Sequence, residues 1–145
     1  MIAFFASTFI SDGAYAEECE VSKPNMNDPV GAIGSSGLAG WYGNEKLATL
    51  IPQSGQWKDQ LSRLSWWWYE GYVAESRTAK KLKITAKHLR STAEATVYPI
   101  SDAFRVTDQY AWQSMKTAFD FPEPGCWQIV GKYDQEELVF NLWVE

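Results

Sequence analysis

Apolar and polar residues alternate along much of the chain, which is the pattern of strands that bury one face. The clearest example lies at the end, where a polar turn at Asp134-Gln135-Glu136 separates an aromatic and β-branched run from a strictly alternating one. This pattern predicts a terminal β-hairpin. Its core face comprises Leu138, Phe140, Leu142 and Val144, with Val139, Asn141 and Trp143 opposite.

Shorter patterns of the same kind predict further strands at 46–52, 65–72, 81–89, 93–100 and 115–119, with a long connection over 101–113. In the strand at 81–89, the face that carries Leu82, Ile84, Ala86 and His88 is expected to be buried, and the face that carries Lys83, Thr85 and Lys87 to be solvated. About seven short strands with turn signals between them favour an all-β fold. We expect an antiparallel immunoglobulin-like β-sandwich rather than a barrel.

The beginning of the chain resembles a secretory signal peptide. An apolar run from Ile2 to Ile10 is followed by the small-x-small tripeptide Ala14-Tyr15-Ala16, so cleavage is predicted after Ala16, although no Lys or Arg precedes the run. The alternative is a buried N-terminal strand or helix. The predicted organisation is a signal peptide at 1–16, a Gly/Pro-rich lead-in at 17–44 and a β-sandwich domain at 45–145.

Export would place the two cysteines in an oxidising compartment. An even count in an oxidising compartment predicts a disulfide between Cys19 and Cys126, which would tie the mature N-terminus to the terminal hairpin. The alternative is a pair of buried free thiols. No later segment has the roughly 20 apolar residues that a membrane-spanning helix needs. We therefore expect a secreted or periplasmic protein without a transmembrane segment after signal cleavage.

Composition and charge argue against several classes of function. The formal net charge is −5, which argues against a nucleic-acid partner. The chain has a single histidine, His88, so a histidine-rich metal cluster is impossible, and no nucleophile motif accompanies it. His88 is expected to be structural or at the surface. We expect no cofactor, no metal site and no enzymatic activity.

Two stretches are candidates for binding. The basic residues Arg77, Lys80, Lys81, Lys83, Lys87 and Arg90 are typical of a solvated strand face or a protected edge, and a patch for anionic envelope polymers or a protein is the alternative. The second stretch is the aromatic run Trp66, Trp67, Trp68 and Tyr69. Alternate residues of a strand point to opposite faces, so one face of this run belongs to the core. The other face is either a binding surface or buried under 101–113.

Three short motifs resemble a group of small exported bacterial proteins, many of them lipoproteins, whose members are mostly without assigned function. The motifs are Trp41-Tyr42-Gly43-Asn44, the pair Trp66-Trp67, and Pro124-Gly125-Cys126-Trp127 at the start of the last hairpin. The resemblance extends from Trp41 to Val144 and implies a β-sandwich and an envelope location, but no activity. This chain departs from the group because no lipoprotein-type tripeptide precedes Cys19.

Together these observations predict a non-catalytic exported envelope-binding or protein-interaction module. Its partner would be an unknown envelope protein or a polysaccharide. The alternative hypothesis is a carbohydrate-binding protein that uses an exposed tryptophan face from the run at Trp66–Tyr69, because planar aromatic rings stack on sugars. A hydrolase is the third hypothesis.

Overall fold

The computed structural model describes residues 19–29, 38–59, 63–69, 82–100, 104–105 and 112–145. Within these ranges the protein has nine β-strands and one short 3-10 turn, Trp57–Asp59. The strands are β1 (Ala39–Gly43), β2 (Leu47–Pro52), β3 (Arg63–Tyr69), β4 (Leu82–His88), β5 (Thr96–Pro99), β6 (Phe104–Arg105), β7 (Trp112–Asp120), β8 (Gly125–Tyr133) and β9 (Glu136–Val144). The signal peptide and its cleavage site lie outside the described residues.

The strands form two antiparallel sheets. The larger has the order β1-β2-β3-β7-β5, with β6 also paired to β7, and the smaller has the order β4-β8-β9. A constant-type immunoglobulin domain orders its seven strands as A-B-E-D and C-F-G. Here β2-β3-β7-β5 and β4-β8-β9 follow that order, and β1 and β6 are additional. The expected immunoglobulin-like sandwich is confirmed.

The main core lies between the two sheets and is built from the predicted inward faces. Alternate residues of β9 are buried, as the periodicity predicted, and so are Leu82 and Ala86 of β4. The largest side chains in this core come from β3, β8 and β9: Trp66, Trp68, Trp127 and Phe140. Burying such large apolar groups is the main favourable contribution to folding.

A tryptophan–glycine contact joins the two sheets where antibody domains carry a disulfide between strands B and F. Trp66 lies on β3 and Gly131 on β8, the strands that correspond to B and F. A Cβ atom on Gly131 would lie 2.3 Å from Cζ3 of Trp66, so only glycine fits beneath the indole. The inter-sheet packing therefore depends on a close approach of a ring to the backbone.

The disulfide forms elsewhere. Cys19 and Cys126 are bonded, with their Cα atoms 5.5 Å apart, as the sequence predicted. The bond holds the chain after Cys19 beside β9, where the Ser22 N–H donates to the Asn141 carbonyl (2.9 Å) and the Asn141 N–H donates to the Ser22 hydroxyl (3.0 Å). Pairing of this kind covers a sheet edge that could otherwise recruit another strand.

The structure differs in one respect from the predicted Gly/Pro-rich lead-in at 17–44. This segment contains the strand β1. This strand pairs with β2 along its whole length, and Asn25 and Met26 donate to the Trp41 carbonyl from the other side. Two glycines in five residues weaken the local strand signal. The strand forms because both of its edges receive hydrogen bonds from distant parts of the chain.

Candidate functional site

The aromatic run on β3 is divided between two faces of the larger sheet. Trp66 and Trp68 are 0% exposed and lie in the core between the sheets, whereas Trp67 is 2% exposed and lies on the opposite face. Tyr69 is the exception at 44% exposed. An exposed tryptophan face at Trp66–Trp68 is therefore absent, and this part of the carbohydrate-binding hypothesis is corrected. The three indoles are buried on both faces of β3, but most of the segment 101–113 that was expected to cover one face lies outside the described residues.

The two inward-facing indoles have specific partners. The Trp66 Nε1–H donates to the Thr117 hydroxyl at 2.9 Å inside the core, and its ring contacts Phe140 with centroids 5.9 Å apart. Trp68 stacks on Tyr133 with centroids 5.4 Å apart. Aromatic pairs at these separations add to the energy of area burial. These contacts give Trp66 and Trp68 structural roles.

Trp67 belongs to a second apolar cluster on the outer face of the larger sheet, with Trp41, Ala48 and Trp112. The Trp41 and Trp67 rings meet edge to face at 5.7 Å. Within the part of the chain that the structure describes, the buried Nε1 atoms of both rings have no hydrogen-bond partner, and neither does the Ser114 hydroxyl opposite Trp67. A buried donor without a partner opposes folding by about 1–3 kcal/mol.

His88 has a structural environment at the end of β4. Its Nδ1 accepts the Arg90 backbone N–H at 3.0 Å, so in the neutral ring Nε2 carries the proton and donates to the Pro124 carbonyl 2.9 Å away. The Glu123 carboxylate lies 3.5 Å from Nε2 and accepts a short hydrogen bond from Ser91. Because the Ser91 hydroxyl is bonded to Glu123 rather than to His88, this cluster lacks the nucleophile–base contact of a serine hydrolase.

The outer face of the smaller sheet is an open surface. It is a shallow depression of about 490 Å³, which we call the lysine face. It comprises Lys83, Thr85 and Lys87 from β4, Gln128, Val130 and Lys132 from β8, and Glu137 and Val139 from β9. These positions alternate with the core residues of the same three strands, so the inward packing fixes the outward direction of every member.

Cross-strand pairing arranges the lysine face in rows. Lys83 lies opposite Lys132, and Lys132 lies opposite Glu137 on its other side. Thr85, Val130 and Val139 form the middle row, and Lys87 and Gln128 form the next. Val139 is 39% exposed. The face therefore has a small apolar centre with lysines at both ends.

Ion pairs on this face are solvated. Lys132 lies 3.2 Å from the Glu137 carboxylate, and Lys87 lies 3.8 Å from that of Glu94, all with largely exposed side chains. Exposed pairs of this kind contribute at most about 1 kcal/mol. Lys83 has no acidic partner among the described residues, and it faces the like charge of Lys132. The charges remain accessible to a partner.

Part of this surface is predictable from the sequence. The alternation at 81–89 predicts that Lys83 and Lys87 lie on the solvated side of their strand, and the structure confirms their exposure. Arg77, Lys80 and Lys81 lie outside the described residues. The contribution of β8 and β9 was missed because it depends on β8 pairing with β4, some 40 residues earlier in the chain. The outward-facing alternate positions of the terminal hairpin are the sequence signal that indicates this contribution.

Nowhere in the described ranges do three or more His, Cys, Asp or Glu side chains lie close enough together to hold a metal ion. No helix formed by the described residues has the length and apolar character needed to span a membrane.

Comparison with known proteins adds no relative. No family model matches the sequence, and no match was found among curated proteins or among solved structures. The resemblance to small exported bacterial proteins stays a prediction. The function is therefore inferred from the lysine face itself.

Proposed function

We propose that this protein is a non-catalytic exported module that binds a partner of the cell envelope through the lysine face. The observation that carries the proposal is the lysine face itself: an open, three-stranded surface with exposed Lys83, Lys87 and Lys132 in a chain of net charge −5. A local positive surface on an acidic protein attracts negatively charged partners and orients them.

Two further features support the proposal. The Cys19–Cys126 disulfide is typical of proteins that fold in an oxidising compartment, which agrees with the predicted signal peptide. The lysine face stands on all three strands of the smaller sheet, and β8 is paired with both β4 and β9 along most of its length. The backbone positions that carry its side chains are therefore fixed before a partner binds.

The test is co-sedimentation of the oxidised mature protein with an envelope preparation from the source cells at about 0.15 M salt, where interactions beyond roughly 8 Å are screened. Lys83→Glu reverses one charge on the lysine face. Lys116→Glu is the matched control, because Lys116 is an exposed strand residue on the larger sheet. We expect wild type and Lys116→Glu to sediment with the envelope and Lys83→Glu to remain largely in the supernatant.

Equal sedimentation of wild type and Lys83→Glu would contradict the proposal, and so would failure of the wild-type protein to sediment. Both variants are checked for the wild-type circular dichroism spectrum. Neither substitution touches the core, so a folded protein is expected in each case.

A further inference from the structure

The lysine face has the dimensions of a site for a short segment rather than for a broad protein surface. Lys83 and Lys87 are four residues apart on β4, which places them about 13 Å apart, and β4 and β9 are two strand spacings apart, about 10 Å. The backbone positions of the face outline roughly 130 Å². Eight residues line it, whereas a standard protein interface uses about 20–30 residues on each partner. A segment of about five residues would span it.

The charges on the face select for acidic groups. Lys83 and Lys132 are directly opposite each other, and like charges in this position repel. Lys132 shares its charge with Glu137 at 3.2 Å, and Lys83 has no acidic partner among the residues that are described. A carboxylate placed between Lys83 and Lys132 would relieve their repulsion. At the other end Lys87 lies 3.8 Å from the Glu94 carboxylate in an exposed pair, so a second carboxylate there would share the Lys87 charge with Glu94.

The apolar centre of the lysine face favours a partner that carries an apolar group as well as negative charge. Val130 and Val139 are paired across β8 and β9 in the middle of the face, and the exposed Val139 side chain offers an apolar contact. A linear polyanion has no apolar group to cover these valines. Interfaces between proteins combine an apolar centre with a polar rim, which is the arrangement seen here.

On the basis of the proposed function, we infer that the partner of the lysine face is a short acidic peptide segment with an apolar side chain between carboxylates. The apolar side chain covers Val130 and Val139. Its carboxylates bind at the two lysine ends, one between Lys83 and Lys132 and the other near Lys87. Charge complementarity and the apolar centre together carry the inference.

The probe is a capped five-residue peptide with a central leucine and two glutamates on each side, titrated into the ¹⁵N-labelled oxidised protein and followed by amide chemical shifts. Three comparison ligands are a peptide with glutamines in place of the glutamates, a peptide with glycine in place of the leucine, and polyphosphate. The protein variants are Lys83→Glu and the control Lys116→Glu.

We expect the glutamate–leucine peptide to shift the amides of β4, β8 and β9, with both altered peptides binding more weakly. Loss of one exposed attraction and gain of one repulsion should weaken binding by Lys83→Glu about fivefold, and Lys116→Glu should bind as wild type does. Equal binding of the glutamate and glutamine peptides would overturn the inference. Binding of polyphosphate without binding of the peptide would also overturn it.

The sedimentation and peptide experiments distinguish failure of the peptide inference from failure of the proposed function. If no ligand of the panel shifts the face while Lys83→Glu still reduces envelope sedimentation, the lysine face remains the binding surface and the peptide inference is wrong. If Lys83→Glu leaves sedimentation unchanged, the proposed function fails whatever the peptides do.

Discussion

The adjacent tryptophans Trp66 and Trp67 offer a matched test of the packing, because the same substitution should have different costs on the two faces of β3. Both indoles are buried, and replacing either by phenylalanine removes similar ring volume. Only Trp66 has a partner for its Nε1–H, the Thr117 hydroxyl at 2.9 Å, whereas the Trp67 Nε1–H has none among the described residues.

The magnitudes follow from these contacts. Trp66→Phe leaves the buried Thr117 hydroxyl unpaired, which costs about 1–3 kcal/mol beyond the cavity. Trp67→Phe removes a buried donor that already lacks a partner, which offsets the cavity by a similar amount, about 1–3 kcal/mol. We therefore expect Trp66→Phe to lower the free energy of unfolding by about 2–6 kcal/mol more than Trp67→Phe does.

The assay is urea denaturation followed by far-ultraviolet circular dichroism, because fluorescence would change with the tryptophans themselves. Adding Thr117→Val to Trp66→Phe removes both hydrogen-bond partners and should restore at least part of the loss. Equal destabilisation by the two single variants, or a larger loss for Trp67→Phe, would refute the assignment of a bonded indole to one face and an unbonded indole to the other.

Three further predictions concern stability. Gly131→Ala should destabilise the fold by about 3 kcal/mol, because the new Cβ meets Trp66 at 2.3 Å inside a closed core; a loss below about 1 kcal/mol in urea denaturation would contradict this packing. Replacing Cys19 and Cys126 together by serine opens a connection of 107 residues and should lower the free energy of unfolding by about 4–5 kcal/mol; an unchanged melting temperature would show that the bond does not constrain the fold. His88→Ala removes two hydrogen bonds at the end of β4 and should cost about 1–3 kcal/mol, which a wild-type urea midpoint would contradict.

Much of the fold follows from local pattern. The terminal hairpin and the two faces of β4 could be predicted because each face of these strands has a single environment, core or solvent, and periodicity reports that difference directly. The disulfide could be predicted from cysteine count and compartment. The order of strands in each sheet agrees with the class that the number and spacing of strands indicated.

The remaining features depend on contacts between distant parts of the chain. Periodicity shows that Trp67 faces away from Trp66, but its burial depends on Trp41 from β1 and Trp112 from β7. β1 itself forms because both of its edges receive hydrogen bonds, which its glycine-rich sequence does not indicate. The lysine face likewise arises only when β8 pairs with β4 and β9, so no single segment contains its pattern.

We propose that the lysine face binds an envelope partner. Amide-resolved NMR of the ¹⁵N-labelled oxidised protein, titrated with a solubilised envelope fraction, locates the binding surface. We predict that the perturbed amides cluster at Lys83–Lys87, Gln128–Lys132 and Glu137–Val139. Perturbations confined to the larger sheet, for example around the exposed Tyr69 and Tyr98, would contradict the claim and place the binding surface on the opposite side of the sandwich.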